Sequence, residues 1–371
     1  MNLPEIDLPA IGSKKADMDT PILCIDRDVM DANIACMIGS CRQNSVAWRP
    51  HTKCHKSPEI AHLLLEAGAI GITCAKLGEA EVMAEYGIQD ILIANLIVGQ
   101  RKLERLVALR RSADPIVCVD HPDQVAAFGK TFSDSGSSLR VLIEVDIGLH
   151  RVGSAPGTPT VELAKLVATT DGLALAGIMG YEGHLLRVKD PAEKERSIGA
   201  ALAVLAENKS LLEGVGLPCE IVSCGGTGSF EYAVQQPGIT ELQAGGGMFM
   251  DAFYRNDCQV TAWDYAMTVL TTIVSRPTPL RAIIDAGRKT MDGNQHAPLA
   301  LDRDDIVVEG LSAEHGQLGL SPSAQNLKIG DRLEIVPGYS DMTCVLHDHI
   351  YGFRGDRLDV VWPIRGRGRL Q

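Results

Sequence analysis

The strongest chemical signal in the sequence is a run of basic residues at positions 49–56, Arg-Pro-His-Thr-Lys-Cys-His-Lys. It follows a short strand-like pattern, so we expect it in a loop. A lysine amine that lies among other cations binds its proton less tightly and can act as a nucleophile toward an aldehyde. Lys53, close to the strand end, is therefore a candidate Schiff-base lysine. We interpret Lys56 as a solvated loop cation and Cys54 as a neighbour of the chemistry.

Two glycine runs form a second candidate site. Residues 224–229 read Cys-Gly-Gly-Thr-Gly-Ser, and residues 244–248 read Ala-Gly-Gly-Gly-Met. Glycines let the backbone approach a ligand closely, and N–H groups at the start of a helix attract an anion. The two runs are therefore a candidate phosphate site, although two tight turns would give the same pattern.

The elements that must position these runs form a regular series. Short apolar runs, which we predict to be strands, alternate with amphipathic stretches. The eight predicted strands lie at residues 45–49, 69–74, 90–95, 116–120, 141–146, 175–181, 220–224 and 240–244. Eight such units favour an α/β fold built on a (β/α)8 TIM-like barrel, with an open doubly wound sheet as the alternative. Barrel active sites lie in the loops after the strands, and phosphate binds after strands 7 and 8. A barrel would therefore bring the lysine and both glycine runs to one end.

After about residue 254 the pattern changes to strands without intervening helices. These are predicted at residues 267–275, 281–286, 305–314, 331–336 and 349–361. We predict an N-terminal segment, residues 1–26, whose strand packs with the β domain. The barrel is predicted over residues 27–254 and a C-terminal mainly-β domain over residues 255–371.

Composition excludes several classes of protein. The 371 residues are 45% hydrophobic and 22% charged, which is typical of a globular protein. A net charge of −12 argues against nucleic acid as a partner. No apolar run approaches the ~18 residues of a membrane span, and the N-terminus lacks the pattern of a secretory signal. The ten cysteines contain no C-x-x-C pair and are interpreted as reduced core residues. We expect a cytoplasmic protein that acts on a small molecule, with neither nucleic acid nor membrane as a partner.

Further motifs extend along the chain. They are Asp-Thr-Pro at 19–21, Glu-Val-Asp-Ile-Gly-Leu-His-Arg-Val-Gly at 144–153, Glu-Leu-Gln-Ala-Gly at 241–245, Asp-Ala-Gly at 285–287, Glu-His-Gly at 314–316 and Leu-His-Asp at 346–348. Together with the runs above, and in this order, they resemble the D-threonine aldolases and their relatives, the 3-hydroxy-D-aspartate aldolases and D-serine dehydratases. The resemblance implies the alanine-racemase-like fold (fold type III) and its cofactor, pyridoxal 5'-phosphate.

The resemblance also implies roles for individual residues. Lys53 would hold the cofactor as a Schiff base, and Tyr181 would lie near both the ring and the substrate. The other implied cofactor-binding residues are His51, Arg151, Gly226, Thr227, Gly228, Gly245 and Gly246. From the residues alone, His184 in the loop after the sixth strand is a candidate base, although a lone loop histidine is also explained as structural or solvated.

One segment departs from the family pattern. The metal-binding aldolases and dehydratases carry His-x-Asp or His-x-Cys after a Pro-x dipeptide, whereas this chain reads Pro-Gly-Tyr-Ser-Asp at 337–341. Neutral imidazole is a good ligand and a protonated phenol a poor one. Asp341 is therefore a doubtful metal ligand, and a Mn, Mg or Zn ion is an open question. Tyr339 is interpreted either as a packing residue or as a catalytic acid or base. Residues 347–349, His-Asp-His, face alternate sides of a strand and are not expected to gather around a metal.

The activity that the resemblance implies is a pyridoxal-phosphate-dependent, D-amino-acid-specific lyase. It would cleave a β-hydroxy-D-amino acid by a retro-aldol reaction to glycine and an aldehyde. The expected assembly is a homodimer, with residues 337–349 at the contact. A D-serine or 3-hydroxy-D-aspartate dehydratase and an amino-acid racemase of the same fold are the nearest alternatives. A non-catalytic pyridoxal-phosphate-carrying protein is the alternative of another class, and the β domain argues against it.

Overall fold

The computed structural model describes residues 8–371, and the chain divides into two compact units. The barrel unit comprises Ile34–Gly247, Asn256–Thr261 and Arg365–Gln371. The β unit comprises the chain up to Asn33, together with Met248–Arg255 and Ala262–Ile364. None of the described helices is both long enough and apolar enough to cross a membrane.

The described residues form nine α-helices. They are α1 (Arg27–Gln43), α2 (Pro58–Ala67), α3 (Leu77–Glu85), α4 (Gln100–Leu109), α5 (Pro122–Asp134), α6 (Thr158–Thr169), α7 (Pro191–Gly214), α8 (Phe230–Ala233) and α9 (Ser340–Cys344). Short 3₁₀ turns lie at Lys15–Asp17, Thr52–Cys54, Gly183–Leu185, Gly246–Met248 and Pro322–Ala324, and a π-helical turn lies at Phe253–Asp257.

The same residues form seventeen strands. They are β1 (Ile22–Asp26), β2 (Ala47–Trp48), β3 (Ile72–Cys74), β4 (Asp90–Leu96), β5 (Asp114–Val119), β6 (Leu139–Glu144), β7 (Leu173–Met179), β8 (Ile221–Cys224), β9 (Glu241–Leu242), β10 (Met267–Thr278), β11 (Arg281–Ile284), β12 (Leu299–Ala300), β13 (Ile306–Leu311), β14 (Gly316–Leu320), β15 (Arg332–Val336), β16 (His349–Arg354) and β17 (Arg357–Pro363).

Eight parallel strands form the sheet of the barrel unit, in the order β2-β9-β8-β7-β6-β5-β4-β3. The two edge strands are joined through a parallel bridge between His51 and Thr73 and a hydrogen bond from the Ile70 N–H to the Trp48 carbonyl (2.9 Å). The predicted (β/α)8 barrel is confirmed, and the open doubly wound sheet is wrong. Strands of such a barrel read as nearly continuous apolar runs because both of their faces are buried. Leu92, Ile116 and Leu142 belong to one buried cluster of this kind.

Helix α2 shows how the sequence fixes where the loop that carries Lys53 ends. Pro58 occupies the first turn, where a missing N–H costs no hydrogen bond. Gly68 ends the helix in the left-handed conformation at φ +116°, which favours glycine. Ile60 and Leu64 bury the inner face of the helix. The chemistry-bearing loop is therefore confined between β2 and a helix with well-defined ends.

A buried ion pair joins β2 to β9, the first and last barrel strands in sequence, which are neighbours in the sheet. Arg49, 2% exposed, donates from Nε to Glu241 (2.9 Å to Oε2) and from Nη1 to Asp90 (2.9 Å to Oδ1). Its backbone N–H donates to the carbonyl of Leu242 (2.9 Å). Gly71 makes room for the guanidinium, because a Cβ there would overlap Nη1. The first and last barrel strands are thus held together by both backbone and charge.

We predict that Arg49→Ala lowers the free energy of unfolding by about 3–5 kcal/mol, because it leaves the carboxylate of Glu241 buried without its cation. Urea denaturation would measure the change. Lys130→Ala is the control, since Lys130 forms an exposed ion pair with Asp134 within α5 and should cost no more than about 0.5 kcal/mol. Equal losses in the two variants would contradict the role assigned to Arg49.

The β unit is built on one nine-stranded sheet in the order β11-β14-β13-β12-β15-β10-β1-β16-β17, in which β10 also pairs with β11. Strand β1 runs antiparallel to β10 and parallel to β16. Cys24 of β1, Leu270 of β10 and Phe353 of β16 share one buried cluster. The C-terminal mainly-β architecture is confirmed.

Two strand predictions in this unit were wrong. Residues 349–361 are not one strand but a hairpin of β16 and β17, and its turn contains Gly355 at φ +57°. Residues 305–314 extend too far, because β13 ends at Leu311 and a second strand, β14, pairs back onto it. In both cases a turn lies inside what the apolar pattern presented as one continuous run.

Candidate active site

The predicted nucleophile lies at the end of the barrel that carries the loops after the strands. Lys53 is half-buried in the 3₁₀ turn after β2, and its backbone N–H donates to Nδ1 of His51 (3.3 Å). Burial, together with the cations Lys53 and Lys56, lowers the pKa of His51 well below its usual range. The ring is therefore neutral and uses Nδ1 as an acceptor. Cys54 is buried and donates to the carbonyl of His51 (3.3 Å).

Lys56 is not the solvated cation that the sequence predicted. It is 6% exposed, and its Nζ lies 3.4 Å from Oε2 of Glu79, which is fully buried. Glu79 also accepts from Oγ1 of Thr52 (2.7 Å) and from the backbone of Ala75 (2.9 Å). A buried ammonium group needs such a partner because desolvation is costly. Lys56 is committed to structure, which leaves Lys53 as the candidate nucleophile of this loop.

The two glycine loops press against this turn and against Tyr181. A Cβ at Gly245 would overlap the carbonyl oxygen of His51, so only glycine lets the loop after β9 approach the lysine loop this closely. A Cβ at Gly226 would lie 3.0 Å from the ring of Tyr181. Gly225 adopts φ +82°, a conformation that favours glycine. The structure therefore brings the loops after β2, β7, β8 and β9 together at one end of the barrel.

Arg151 and Glu144 continue the cluster from β6. The guanidinium carbon of Arg151 lies 5.7 Å from the centroid of the Tyr181 ring, and Nη2 lies 3.6 Å from Oε1 of Glu144. Burial raises the pKa of Glu144 to about 7, against the opposing attraction of Arg151. Its buried Oε2 has no hydrogen-bond partner among the described residues. Glu144 is therefore a titratable group near neutral pH that sequence reasoning did not single out.

Glu182 was also missed. It is fully buried directly after Tyr181 and accepts a short hydrogen bond from Oγ of Ser229, which itself accepts from the N–H of Gly226 (3.1 Å). Burial raises the pKa of Glu182, against that hydrogen bond. The sequence offered one signal, an acidic residue directly after the predicted strand at 175–181. Glu182 ties the glycine loop to the loop after β7.

His184, the candidate base, is exposed in the 3₁₀ turn Gly183–Leu185. A Cβ at Gly148 would lie 2.9 Å from its Nε2, so the ring covers the loop after β6. Partial burial and the neighbouring His150 lower the pKa of His184, while Asp146 opposes the shift. The neutral ring can therefore accept a proton.

Tyr339 and Asp341 lie in the β unit, where β15 leads into α9. The phenol of Tyr339 donates to Oδ2 of Asp341 (2.7 Å). His347 contacts the carbonyl oxygen of Thr290 through Nε2 (2.7 Å), whereas the ring of His349 packs near Tyr351. Among residues 8–371, no three His, Cys, Asp or Glu side chains are grouped to hold a metal ion.

Comparison with known proteins places this geometry in a family. Residues 25–252 match the alanine racemase N-terminal domain, and residues 266–353 match a serine dehydratase domain. A 3-hydroxy-D-aspartate aldolase from Paracoccus denitrificans is 33% identical over 98% of this chain and 96% of its own length. The crystal structure of D-threonine aldolase from Filomicrobium marinum matches with a TM-score of 0.95 and 36% identity, covering 98% of this chain and 100% of that one. This chain belongs to that aldolase family.

The family also contains dehydratases. One solved structure similar to this chain is a cysteine-to-alanine variant of D-threo-3-hydroxyaspartate dehydratase in a metal-free form. It is 28% identical, has a TM-score of 0.85, and covers 95% of this chain and 98% of its own. The family fold accounts for both units of this chain, since its two domain matches together span most of the described residues. The resemblance drawn from the sequence motifs is confirmed.

Glu144 yields a pH prediction for this family member. Its pKa is about 7 in the folded protein against 4.5 for a free glutamate, so the folded state keeps a proton that the unfolded state has lost. Stability therefore falls as pH rises from about 4.5 to about 7. Glu144→Gln has no such carboxyl group, so its stability should not fall in this pH range for this reason. The difference in free energy of unfolding, variant minus wild type, should therefore increase by on the order of 2 kcal/mol between about pH 5 and pH 8.

Urea denaturation at several pH values would measure this difference. Glu162→Gln, at an exposed position of α6, is the matched control and should follow the wild-type pH dependence. Parallel curves for Glu144→Gln and the wild type would show that Glu144 titrates normally.

Proposed function

We propose that the protein is a pyridoxal 5'-phosphate-dependent lyase that cleaves a β-hydroxy-D-amino acid to glycine and an aldehyde. The observation that carries this proposal is the close approach of the loops at one end of the barrel. Gly245 contacts the backbone of the turn that carries Lys53, and Gly226 contacts the ring of Tyr181. A lysine and two glycine loops at the end of a barrel suit a cofactor that bears both an aldehyde and a phosphate. Membership of the aldolase family supports the same reaction.

The residues at this end fit the cofactor. Lys53 would hold it covalently, and the backbone of the glycine loops would bind its phosphate. The phosphate-binding residues would be Gly226, Thr227, Gly228, Gly245 and Gly246, and the residues around the ring would be His51, Arg151 and Tyr181. When bound, pyridoxal phosphate supplies an electron sink for the pair released at Cα.

The chain itself must handle the proton of the substrate. In a retro-aldol cleavage a base removes the β-hydroxyl proton as the Cα–Cβ bond breaks. His184 is one candidate, because its ring is neutral and solvent-accessible beside the loop after β6. Neutral His51 keeps Nδ1 engaged with the backbone of Lys53, so its role is to orient the lysine turn.

Dehydration is a second candidate activity. It is favoured by the match of residues 266–353 to a serine dehydratase domain. Cleavage and dehydration start from the same bound amino acid and differ in which bond at Cα breaks. The choice depends on the groups that face the β-hydroxyl.

We further propose that the protein is a cytoplasmic homodimer with residues 337–349 at the contact. Closed twofold pairs are the commonest assembly of soluble enzymes. All ten cysteines are free thiols, and nine of them are buried, which suits a reducing compartment. Light scattering that found a fully active monomer would contradict the dimer.

The purified protein is predicted to be yellow, and borohydride should fix the cofactor on Lys53. Peptide mapping would locate the adduct. Lys53→Ala should abolish it, whereas Lys76→Ala, which alters the residue before α3, should not. An adduct on Lys56 would show that the buried pair with Glu79 opens and that our assignment is wrong.

Incubation with D-threonine, D-phenylserine and D-serine tests the reaction. Separate assays for aldehyde, keto acid and the L-isomer distinguish cleavage, dehydration and racemisation. We expect aldehyde and glycine from the first two substrates, since both carry a carbon substituent on the β-hydroxyl carbon. Formation of keto acid alone would show that the protein is a dehydratase rather than an aldolase. If the cofactor-loaded protein formed no product, a non-catalytic pyridoxal-phosphate-carrying protein would be favoured.

A further inference from the structure

The glycine loop after β8 is closed on itself by Ser229. The backbone N–H of Ser229 donates to the carbonyl of Gly226 (3.2 Å), and the N–H of Gly226 donates back to Oγ of Ser229 (3.1 Å). A longer contact joins the same hydroxyl to the carbonyl oxygen of Gly226 (3.3 Å). Ser229 is completely buried. The two ends of the turn are therefore tied together by both backbone and side chain.

Glu182 holds the Ser229 hydroxyl from the neighbouring loop. It follows Tyr181 directly, it is fully buried, and its Oε1 accepts a short hydrogen bond from Oγ of Ser229. A hydroxyl has one hydrogen, so donation to the carboxyl group leaves the lone pairs of Oγ to the N–H of Gly226. Burial raises the pKa of Glu182, and the Ser229 hydroxyl and nearby backbone N–H groups, those of Gly225 and Gly226 among them, oppose the rise. The carboxyl group thus determines where the hydroxyl points.

Two further N–H groups of the loop have no acceptor within the protein. Thr227 is 3% exposed and Gly228 is buried, and neither backbone N–H donates a hydrogen bond to any group in residues 8–371. A side chain at Gly228 would crowd Cys258 and Leu186, each 3.1 Å from its Cβ. Buried N–H groups are nearly always paired, and successive N–H groups in a turn form a site for an anion. Thr227 and Gly228 therefore offer two adjacent donors to a phosphate.

We propose that Glu182 is the positioning residue of the phosphate site, and that it acts through Ser229 to hold residues 226–229 with the N–H groups of Thr227 and Gly228 directed at one phosphate. This inference deepens the proposed function and rests on it. Glu182 is not itself a ligand, because a carboxylate offers acceptors whereas a phosphate needs donors. Its effect is selectivity for pyridoxal 5'-phosphate over pyridoxal, which has the same ring and aldehyde but no phosphate.

The test compares these two ligands on the full-length, cofactor-free protein. The change in absorbance on Schiff-base formation gives a Kd for pyridoxal 5'-phosphate and one for pyridoxal. Glu182→Ala should weaken binding of the phosphorylated ligand about tenfold or more and change the affinity for pyridoxal by less than about twofold, because the lost hydrogen bonds shape the phosphate loop alone. Glu220→Ala, at an exposed position directly before β8, is the matched control and should change neither Kd.

Two further variants distinguish positioning from general damage. Glu182→Gln keeps an acceptor for the Ser229 hydroxyl and should bind pyridoxal 5'-phosphate within about threefold of wild type. Ser229→Ala removes the connecting hydroxyl and should match Glu182→Ala. The double variant should bind no more weakly than either single variant, since both residues act through one chain of hydrogen bonds. If Glu182→Ala does not fold, Ser229→Ala makes the same comparison of ligands with a smaller change.

The results separate this inference from the proposed function. Equal losses of affinity for both ligands, or a wild-type preference for the phosphorylated ligand that persists in Glu182→Ala and Ser229→Ala, would overturn the positioning role while the lyase stands. A wild-type protein that binds pyridoxal 5'-phosphate no more tightly than pyridoxal would have no phosphate site, and that result would contradict the proposed function itself.

Discussion

The buried ion pair of Arg49 with Glu241, to which the partly exposed Asp90 adds a second carboxylate, is the interaction on which the barrel end depends. It joins the first strand of the barrel to the last, and those strands are only two residues long. With so few ladder hydrogen bonds, side-chain charge supplies the remaining cohesion. The loops that follow the two strands are then forced together, and Gly245 lets them meet at the backbone of His51. The placement of Lys53 follows from this closure.

At the barrel end, burial and ion pairing determine which groups carry a charge. Lys53, Lys56 and His51 share one short loop, and the fold separates their roles by giving Lys56 its own carboxylate and keeping His51 neutral. Glu144 lies at the end of β6 and Glu182 in the loop after β7, and burial raises the pKa of both carboxyl groups. The site therefore contains groups whose pKa values are shifted by burial, and it does not carry a simple excess of one charge.

The sequence predicted the barrel well because buried parallel strands are marked by continuous apolar runs, and the helices between them by amphipathic stretches such as Pro58–Ala67. It predicted the β unit less well, since Gly355 was read as part of a strand when it forms a hairpin turn. Lys56 was misjudged because its partner, Glu79, is distant in sequence. Glu144 and Glu182 could not be recognised, because a carboxylate at the end of a strand or in the loop after it looks like any solvated polar residue until its burial is known.

The change to tyrosine at position 339 is consistent with its surroundings in electrostatic terms. Asp251 and Asp341 lie close enough for Asp341 to raise the pKa of Asp251, to which burial contributes most, bringing it to about 7. Two neighbouring carboxylates in a buried segment need positive charge or protons. A divalent cation would supply the charge. Here the phenol of Tyr339 donates a hydrogen bond to Asp341, and the Ser340 hydroxyl and the Tyr254 backbone N–H donate hydrogen bonds to Asp251. Phe253 and Tyr254 provide the aromatic surface that a phenol fills. The tyrosine is therefore part of a set of compensating contacts, and a cation bound at Asp341 would have to displace the phenol from that set.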